Sequence, residues 1–418
     1  VANKTNPGLR RRTLLQAGAT IGGLQLASPF LLSARGETPV KIGMIDPLTG
    51  SYAAIARSEV EGAQLAVAQV NKAGGVLGRQ VQLLVEDSAN DVGTGVQKAH
   101  KLIDRDGIDV LFGDVNSAIA LAIDAVAFNA KKLHIVTGGH TDAITGHDCH
   151  WNAFRVCNST TMDASAIAAT LIEKFGKKWF FLTPDYAYGH SVQASFVKIL
   201  QAAGGTFEAA LAPIGTSDFS AYLIKAQQYK PNVLLNIMGG TDQVNSMKQF
   251  NQFGLNKSMA MAGALLEQES IESLPAAARA GWWVMEWYWN QPDVPHMKEF
   301  VADVKAATGK IATARHWFGY VAMHSVKLAA EKAKSMDGIR MAKAMEGLEL
   351  PPEVALQKGT PFYRAGDHEL MSAVLAGEVH NPPAGGDKND LFTIRSIVPG
   401  PKAAGPVEDT GCKISWPA

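Results

Sequence analysis

The chain has few cysteines, no surplus of charge and no long apolar run after its first few dozen residues. Lys and Arg together number 39, as do Asp and Glu, so the formal net charge is zero. A nucleic-acid partner requires a basic face, and an anionic membrane a polybasic stretch; neither partner is expected. No segment beyond the amino terminus approaches the roughly 18 apolar residues that span a bilayer. The three cysteines, Cys149, Cys157 and Cys412, give one disulfide and one spare thiol in an oxidising compartment, and their spacing does not choose the pair. Catalytic signatures are also missing. Gly189-His190-Ser191 lacks the closing glycine of a nucleophile elbow. Gly93-Thr94-Gly95 lacks the third glycine of a dinucleotide fingerprint. There is no phosphate loop, no His-Glu-x-x-His, no heptad repeat and no low-complexity tract. No enzyme activity and no cofactor are therefore expected.

What is present reads as an exported two-domain protein. A length of 418 residues at 47% apolar and 19% charged is enough for two domains, each with its own core. Arg10-Arg11-Arg12 precedes Thr13-Leu14-Leu15, a Gly/Ala-rich apolar stretch runs to Leu32, and Ser33-Ala34 suits a cleavage site. The arginines before Thr-Leu-Leu resemble a twin-arginine signal. Residues 1–37 are thus expected to be an export leader, leaving a soluble periplasmic protein once removed. A membrane anchor is the alternative, but Gln16, Gln25, Pro29 and three glycines make this a poor spanning helix.

The stretch from Val110 to Thr145 organises the rest. Val110-Leu111-Phe112 is a short strand ending at Gly113; Asp114-Val115-Asn116-Ser117 follows, then a helix with Leu121, Ala125 and Phe128 on one face. Leu133 to Val136 is the next strand, ending in Thr137-Gly138-Gly139-His140-Thr141. Ligands of open parallel sheets sit at the carboxyl ends of strands. The hydroxyls of Ser117 and Thr141 and the backbone N–H groups around Gly139 can converge there on a small anion through charge-assisted bonds. The plainer alternative is that both hydroxyls cap helices. Strand and helix alternate four times from Val40, and a second α/β lobe repeats the plan from about Ala164, which predicts parallel sheets covered on both faces. The pattern pauses at Asn152–Thr161, and the tail from Lys388 reads as turns. The expected lobes are 38–158 plus 290–360, and 159–289 plus 361–418.

Other side chains have two readings each. His140, Asp142, His147, Asp148, Cys149 and His150 are residue types that suit zinc or copper, but they crowd one irregular loop; a polar surface loop near a disulfide is preferred, and no metal is expected. Arg364, Asp367 and His368 read as a turn with a salt bridge. Trp282, Trp283, Trp287 and Trp289 are either a buried strand or, for at least one ring, a stacking surface, and Trp317 at a helix start is equally divided. Tyr188, before a glycine at a strand end, is aimed outward.

Several motifs in fixed order carry a resemblance. They are Pro47-Leu48-Thr49-Gly50, Asn71-Lys72-Ala73-Gly74-Gly75-Val76-Leu77-Gly78-Arg79, Asp185-Tyr186-Ala187-Tyr188-Gly189, Ser217-Asp218-Phe219-Ser220 and Ala365-Gly366-Asp367-His368. Over essentially its whole mature length the chain resembles type I periplasmic solute-binding proteins, the branched-chain amino acid/amide receptors of ABC importers. The resemblance implies two Rossmann-like lobes joined by three crossovers, closing as a monomer on a small solute for a membrane permease. It implies ligand contacts from Ser117, Gly139 and Thr141 to a carboxylate, with Tyr188 covering the solute; Asn116, Tyr52 and Trp317 complete the candidate set. The acidic partner of a ligand ammonium falls two residues after a glycine in such relatives, where this chain has Leu265 after Gly263; Glu267 and Asp242 are the candidates instead. That departure admits an aromatic or keto acid, or an amide, beside an amino acid. The resemblance also favours a Cys149–Cys412 bond. The competing readings are an exported metal-dependent hydrolase and a sensing lobe for a membrane receptor.

Overall fold

Val40, Ile42, Met44 and Ile45 are all fully buried, as a strand covered on both faces requires. They form β1 (Val40–Asp46), an inner strand of the first sheet. The computed structural model describes residues 38–417; the expected leader, 1–37, lies outside the described residues. The order continues α1 (Ala53–Lys72), β2 (Val81–Asp87), α2 (Val92–His100), β3 (Val110–Gly113), α3 (Ser117–Asn129), β4 (Leu133–Val136) and β5 (Ala153–Arg155). All the pairings of this sheet are parallel, in the order β2-β1-β3-β4-β5. β5 occupies the region where the sequence pattern pauses: three residues are too few to show a period.

The second sheet is built from α4 (Thr160–Phe175), β6 (Lys178–Pro184), α5 (Ala187–Ala202), β7 (Thr206–Ala212), α6 (Ser220–Tyr229), β8 (Val233–Asn236), α7 (Gly240–Gln252), β9 (Ala260–Gly263), α8 (Gln268–Glu272) and β10 (Trp282–Met285). The chain then returns to the first lobe as α9 (Met297–Thr308), α10 (Ala314–Ala333), α11 (Gly338–Met345) and α12 (Pro352–Ala355), before β11 (Val374–Val379), β12 (Phe392–Val398) and α13 (Gly400–Ala404). The second sheet runs β12-β11-β10-β9-β8-β6-β7. Its β10–β11 and β11–β12 pairs are antiparallel, and β12 lies in the tail that reads as turns.

This is the α/β, two-lobed, parallel-rich fold expected from the sequence. The chain passes between the lobes three times, after β5, after β10 and near residue 370. Tyr363 and Leu370 pack in the first core and Met371 in the second. The last residues lie on the first lobe, where Cys412 is bonded to Cys149 (Cα–Cα 5.5 Å) and Trp416 packs on Trp151. These contacts depart from the expected grouping of 361–418 with the second lobe. The remaining thiol, Cys157, is buried. Among the described residues no helix is long and apolar enough to cross a membrane.

Helices α1 and α10 pack unusually closely, because glycines face each other's backbone. A Cβ on Gly62 would stand 1.9 Å from the His316 carbonyl oxygen, and one on Gly319 would stand 2.0 Å from the Glu59 carbonyl oxygen. This contact sets Glu59 of α1 beside Arg315 of α10.

Candidate functional site

Each sheet reverses its strand order once. β2 and β3 flank β1, while β7 and β8 flank β6. Loops part at such reversals and leave a crevice at the carboxyl ends of the strands. Both crevices open on one pocket. Tyr52 and Ile55 enter after β1, Val115 after β3 and His140 after β4. From the second sheet come Tyr186 and Tyr188 after β6, Met238, Gly239, Gly240 and Gln243 after β8, and Leu265 and Glu267 after β9. Arg315 completes the lining from the first turn of α10. A larger cavity, of about 610 Å³, lies between α4, α5, α13 and the tail, and shares no lining residue with this pocket.

The pocket between the strand ends is small, about 30 Å³, roughly two waters' worth of space. Arg315 and Glu267 fill it from opposite lobes. Arg315 Nε and Nη2 both donate to Glu267 Oε1, at 2.8 and 2.6 Å, and Nη1 donates to Glu59 Oε2 at 3.2 Å. Nη2 also lies 3.3 Å from His140 Nε2. The guanidinium fits because position 138 is glycine: a Cβ there would stand 2.4 Å from Arg315 Nη1.

Burial governs the charges. It would lower the pKa of Arg315, but the carboxylates of Glu267, Glu59 and Glu286 outweigh it and hold the guanidinium charged. Burial raises Glu59, with Arg315 pulling the other way. Burial and the nearby Arg315 push His140 well below its ordinary value, so its imidazole is neutral. Glu286 at the second crossing is raised by burial and by Asp163; it accepts the Asn158 N–H. The Tyr52 and Tyr186 hydroxyls meet across the lobes at 3.0 Å, and burial raises both phenols. Burial also raises Tyr188, whose hydroxyl has no hydrogen-bond partner among the described residues.

Of the residues expected from the sequence, Tyr52, Tyr188 and Glu267 line this pocket. The loops of Asn116–Ser117 and Gly139–Thr141 do come together, since the Thr141 N–H donates to Ser117 Oγ at 3.2 Å. The side chains of Asn116, Ser117 and Thr141 are not among the lining. Asn116 caps α3 through the Ala118 N–H, Gly139 faces Ala120 and Ile144, and the neighbouring Val115 and His140 form the wall instead. Asp242 accepts Ser51 Oγ at 3.0 Å and the Gly215 N–H at 2.7 Å, a bond between lobes rather than a pocket wall. Trp317 is placed in the first core, its indole N–H donating to the Val354 and Ala355 carbonyls. The indoles of Trp283, Trp287 and Trp289 likewise bond backbone carbonyls. Arg364 pairs with Asp367. Among the described residues no group of three or more His, Cys, Asp or Glu is placed to hold a metal ion.

Arg315, Tyr186, Gln243 and, outside its metal reading, His140 are the polar lining residues that were not among the expected ligand contacts. An arginine in the largely aromatic opening turns of a helix (Ala314-Arg315-His316-Trp317-Phe318) was the available signal for the first.

Comparison with known proteins follows the same outline. Residues 39–387 match the periplasmic binding protein family. A Leu/Ile/Val-binding protein, BraC3, from Rhizobium johnstonii is 29% identical over 339 residues, covering 79% of this chain and 89% of that protein. Among solved structures, a periplasmic binding protein from Burkholderia mallei superposes with a TM-score of 0.84 at 26% identity, covering 90% of this chain and 98% of the other. A branched-chain amino acid ABC transporter periplasmic ligand-binding protein from Burkholderia xenovorans gives 0.77 at 25% identity, covering 89% and 99%.

Proposed function

This chain belongs to the periplasmic binding protein family, and from that premise we propose that it captures a small carboxylate or amide solute between its lobes and delivers it to the permease of an ABC importer. Members of this family bind solutes rather than transform them. The observation that carries the reading is the convergence of strand-end loops from both sheets, at both order reversals, on one pocket rich in tyrosine.

The pocket's polar groups suit a small, partly apolar solute. Tyr52, Tyr186 and Tyr188 offer aromatic faces with hydroxyls at their edges, and the Gln243 side-chain oxygen is a buried acceptor with no partner among the described residues. Ser117 and Thr141 brace the loops that carry Val115 and His140. A ligand site for a small molecule encloses a few hundred Å³, against about 30 Å³ here, so admission requires the lobes to part at their crossings. Closure then depends on contacts that the solute makes with both lobes. The Ser51–Asp242 and Tyr52–Tyr186 bonds already join them.

A thermal-shift screen across amino acids, aromatic acids, keto acids and amides tests this. A solute present at a hundred times its Kd stabilises the folded chain by about 2.7 kcal/mol, a shift of several degrees. The Tyr188→Ala variant should lose most of that shift, read against its own solute-free transition, which lies below the parent's because the ring is buried in the second core. A screen in which no solute moves the transition refutes the reading.

A further inference from the structure

The fork of a guanidinium matches the two oxygens of a carboxylate. In this cleft the fork of Arg315 is filled by the protein itself: Nε and Nη2 converge on Glu267 Oε1. Arg315 belongs to the first lobe's α10 and Glu267 to the loop after β9 in the second. The pair therefore crosses the space that a solute would enter, and it is buried, with side-chain exposures of 2% and 5%. Glu59 on α1 gives the guanidinium a separate counter-charge, 3.2 Å away and within the same lobe, so Arg315 is not left unpaired when the second lobe moves off.

We propose that Arg315 is the anion receptor of this cleft, that Glu267 holds the place of the solute's carboxylate on it, and that the solute is a small carboxylic acid. This rests on the cleft being the solute site.

The selectivity follows from charge balance. Glu267 is the acidic side chain in the lining. If it stays on Arg315, the fork is closed to a carboxylate. If an incoming carboxylate displaces it, Arg315 keeps one partner in Glu59 and gains another in the solute. A neutral amide would give the fork one acceptor where an acid gives two and a charge.

The test uses two matched sets and isothermal calorimetry at neutral pH. One is 4-methylpentanoate, 4-methyl-2-oxopentanoate, leucine and 4-methylpentanamide. The other is phenylacetate, phenylpyruvate, phenylalanine and phenylacetamide. In at least one set the acids should bind ten or more times tighter than the amide. Arg315→Met would strand two buried carboxylates and can fail to fold, so two gentler variants carry the argument. Arg315→Lys keeps the charge without the fork and should weaken acid binding at least tenfold. Glu267→Gln removes the competing carboxylate and should tighten acid binding about three- to tenfold, a gain that a merely structural role would not produce. The proposal is overturned if an amide binds tighter than its matched acids, or if Glu267→Gln weakens acid binding; in both cases solute capture in the cleft still stands. Binding by no member of either set at 10 mM overturns this proposal and the capture of a small carboxylate or amide together.

Discussion

Replacing Gly319 by alanine tests whether the α1–α10 contact sets the geometry around Arg315. A glycine-to-alanine change inside an exposed helix stabilises by about 1 kcal/mol. At position 319 the added methyl would stand 2.0 Å from the Glu59 carbonyl oxygen and 2.7 Å from the Ala63 nitrogen. Both are backbone atoms in a helix and cannot yield singly, so the two helices must part by about 1 Å before the contact is tolerable. Overpacking of this kind costs roughly 1–3 kcal/mol, and the upper end applies because Val60, Ala63 and Val70 on one helix and Phe318, Val321 and Val326 on the other are all in one core. Steric cost therefore outweighs propensity, and the net loss is about 2 kcal/mol, a melting temperature lowered by roughly 4–8 °C for a lobe of this size. Gly62→Ala should act alike, since its methyl would stand 1.9 Å from the His316 carbonyl oxygen. The double variant should lose less than the sum of the two, because helices already parted by one methyl accommodate the second. Differential scanning calorimetry of the three variants gives the answer. A melting temperature that rises in Gly319→Ala, or losses that add fully, would refute the close helix contact.

Two further outcomes follow. Cys149 and Cys412 close a loop of 263 residues, so the Cys149→Ser/Cys412→Ser variant should melt several degrees lower, in keeping with the 2–5 kcal/mol typical of a native bridge; a reductant should bring the parent down to the variant and leave the variant unmoved, whereas equal melting temperatures under oxidising conditions would contradict the bond. Burial pushes Asp114 up to about 8, so between about pH 4 and 8 the folded chain holds a proton that the unfolded chain has released, and its contribution to stability is lost as pH rises through that window; Asp114→Asn should flatten the fall of melting temperature from pH 5 to 8, and an unchanged slope would show that other groups govern it.

The fold was legible where the sequence has a period or punctuation. β1, β3, β4, β6 and β8 are short runs rich in Val, Ile, Leu and Phe that end in or lead into Asp, Gly, Pro, Asn or a Thr-Gly pair, and each falls within about a residue or two of its expected place. The strands missed are those without such marks. β5 has three residues, β9 (Ala-Met-Ala-Gly) carries no β-branched residue, β11 is interrupted by Ala376-Gly377, where its register shifts, and β12 is an edge strand with mixed burial. The helix after Ser217-Asp218 starts at Ser220, because Asp218 accepts the Ser220 N–H and hydroxyl and so turns the chain once more before the helix begins.

The candidate site was legible to the level of its loops but not of its side chains, for a physical reason. Hydroxyls at strand ends satisfy either a ligand or the next loop's backbone, and the residue types are the same in both cases. Ser117 takes the Thr141 N–H, which leaves the pocket to the larger neighbours Val115 and His140. Arg315 escaped notice because its helix reads as core. Yet an arginine is rarely buried unless paired, and ionic pairing in a low-dielectric interior compensates desolvation only with good geometry and several partners. A buried arginine whose bonds run to both lobes is thus costly scaffolding if its task is only to hold them together, since apolar packing would serve that purpose better. The same arginine becomes economical if one of its two carboxylate partners is exchanged for a solute, because the desolvation is then incurred once, in folding, and the receptor is already oriented when the solute arrives.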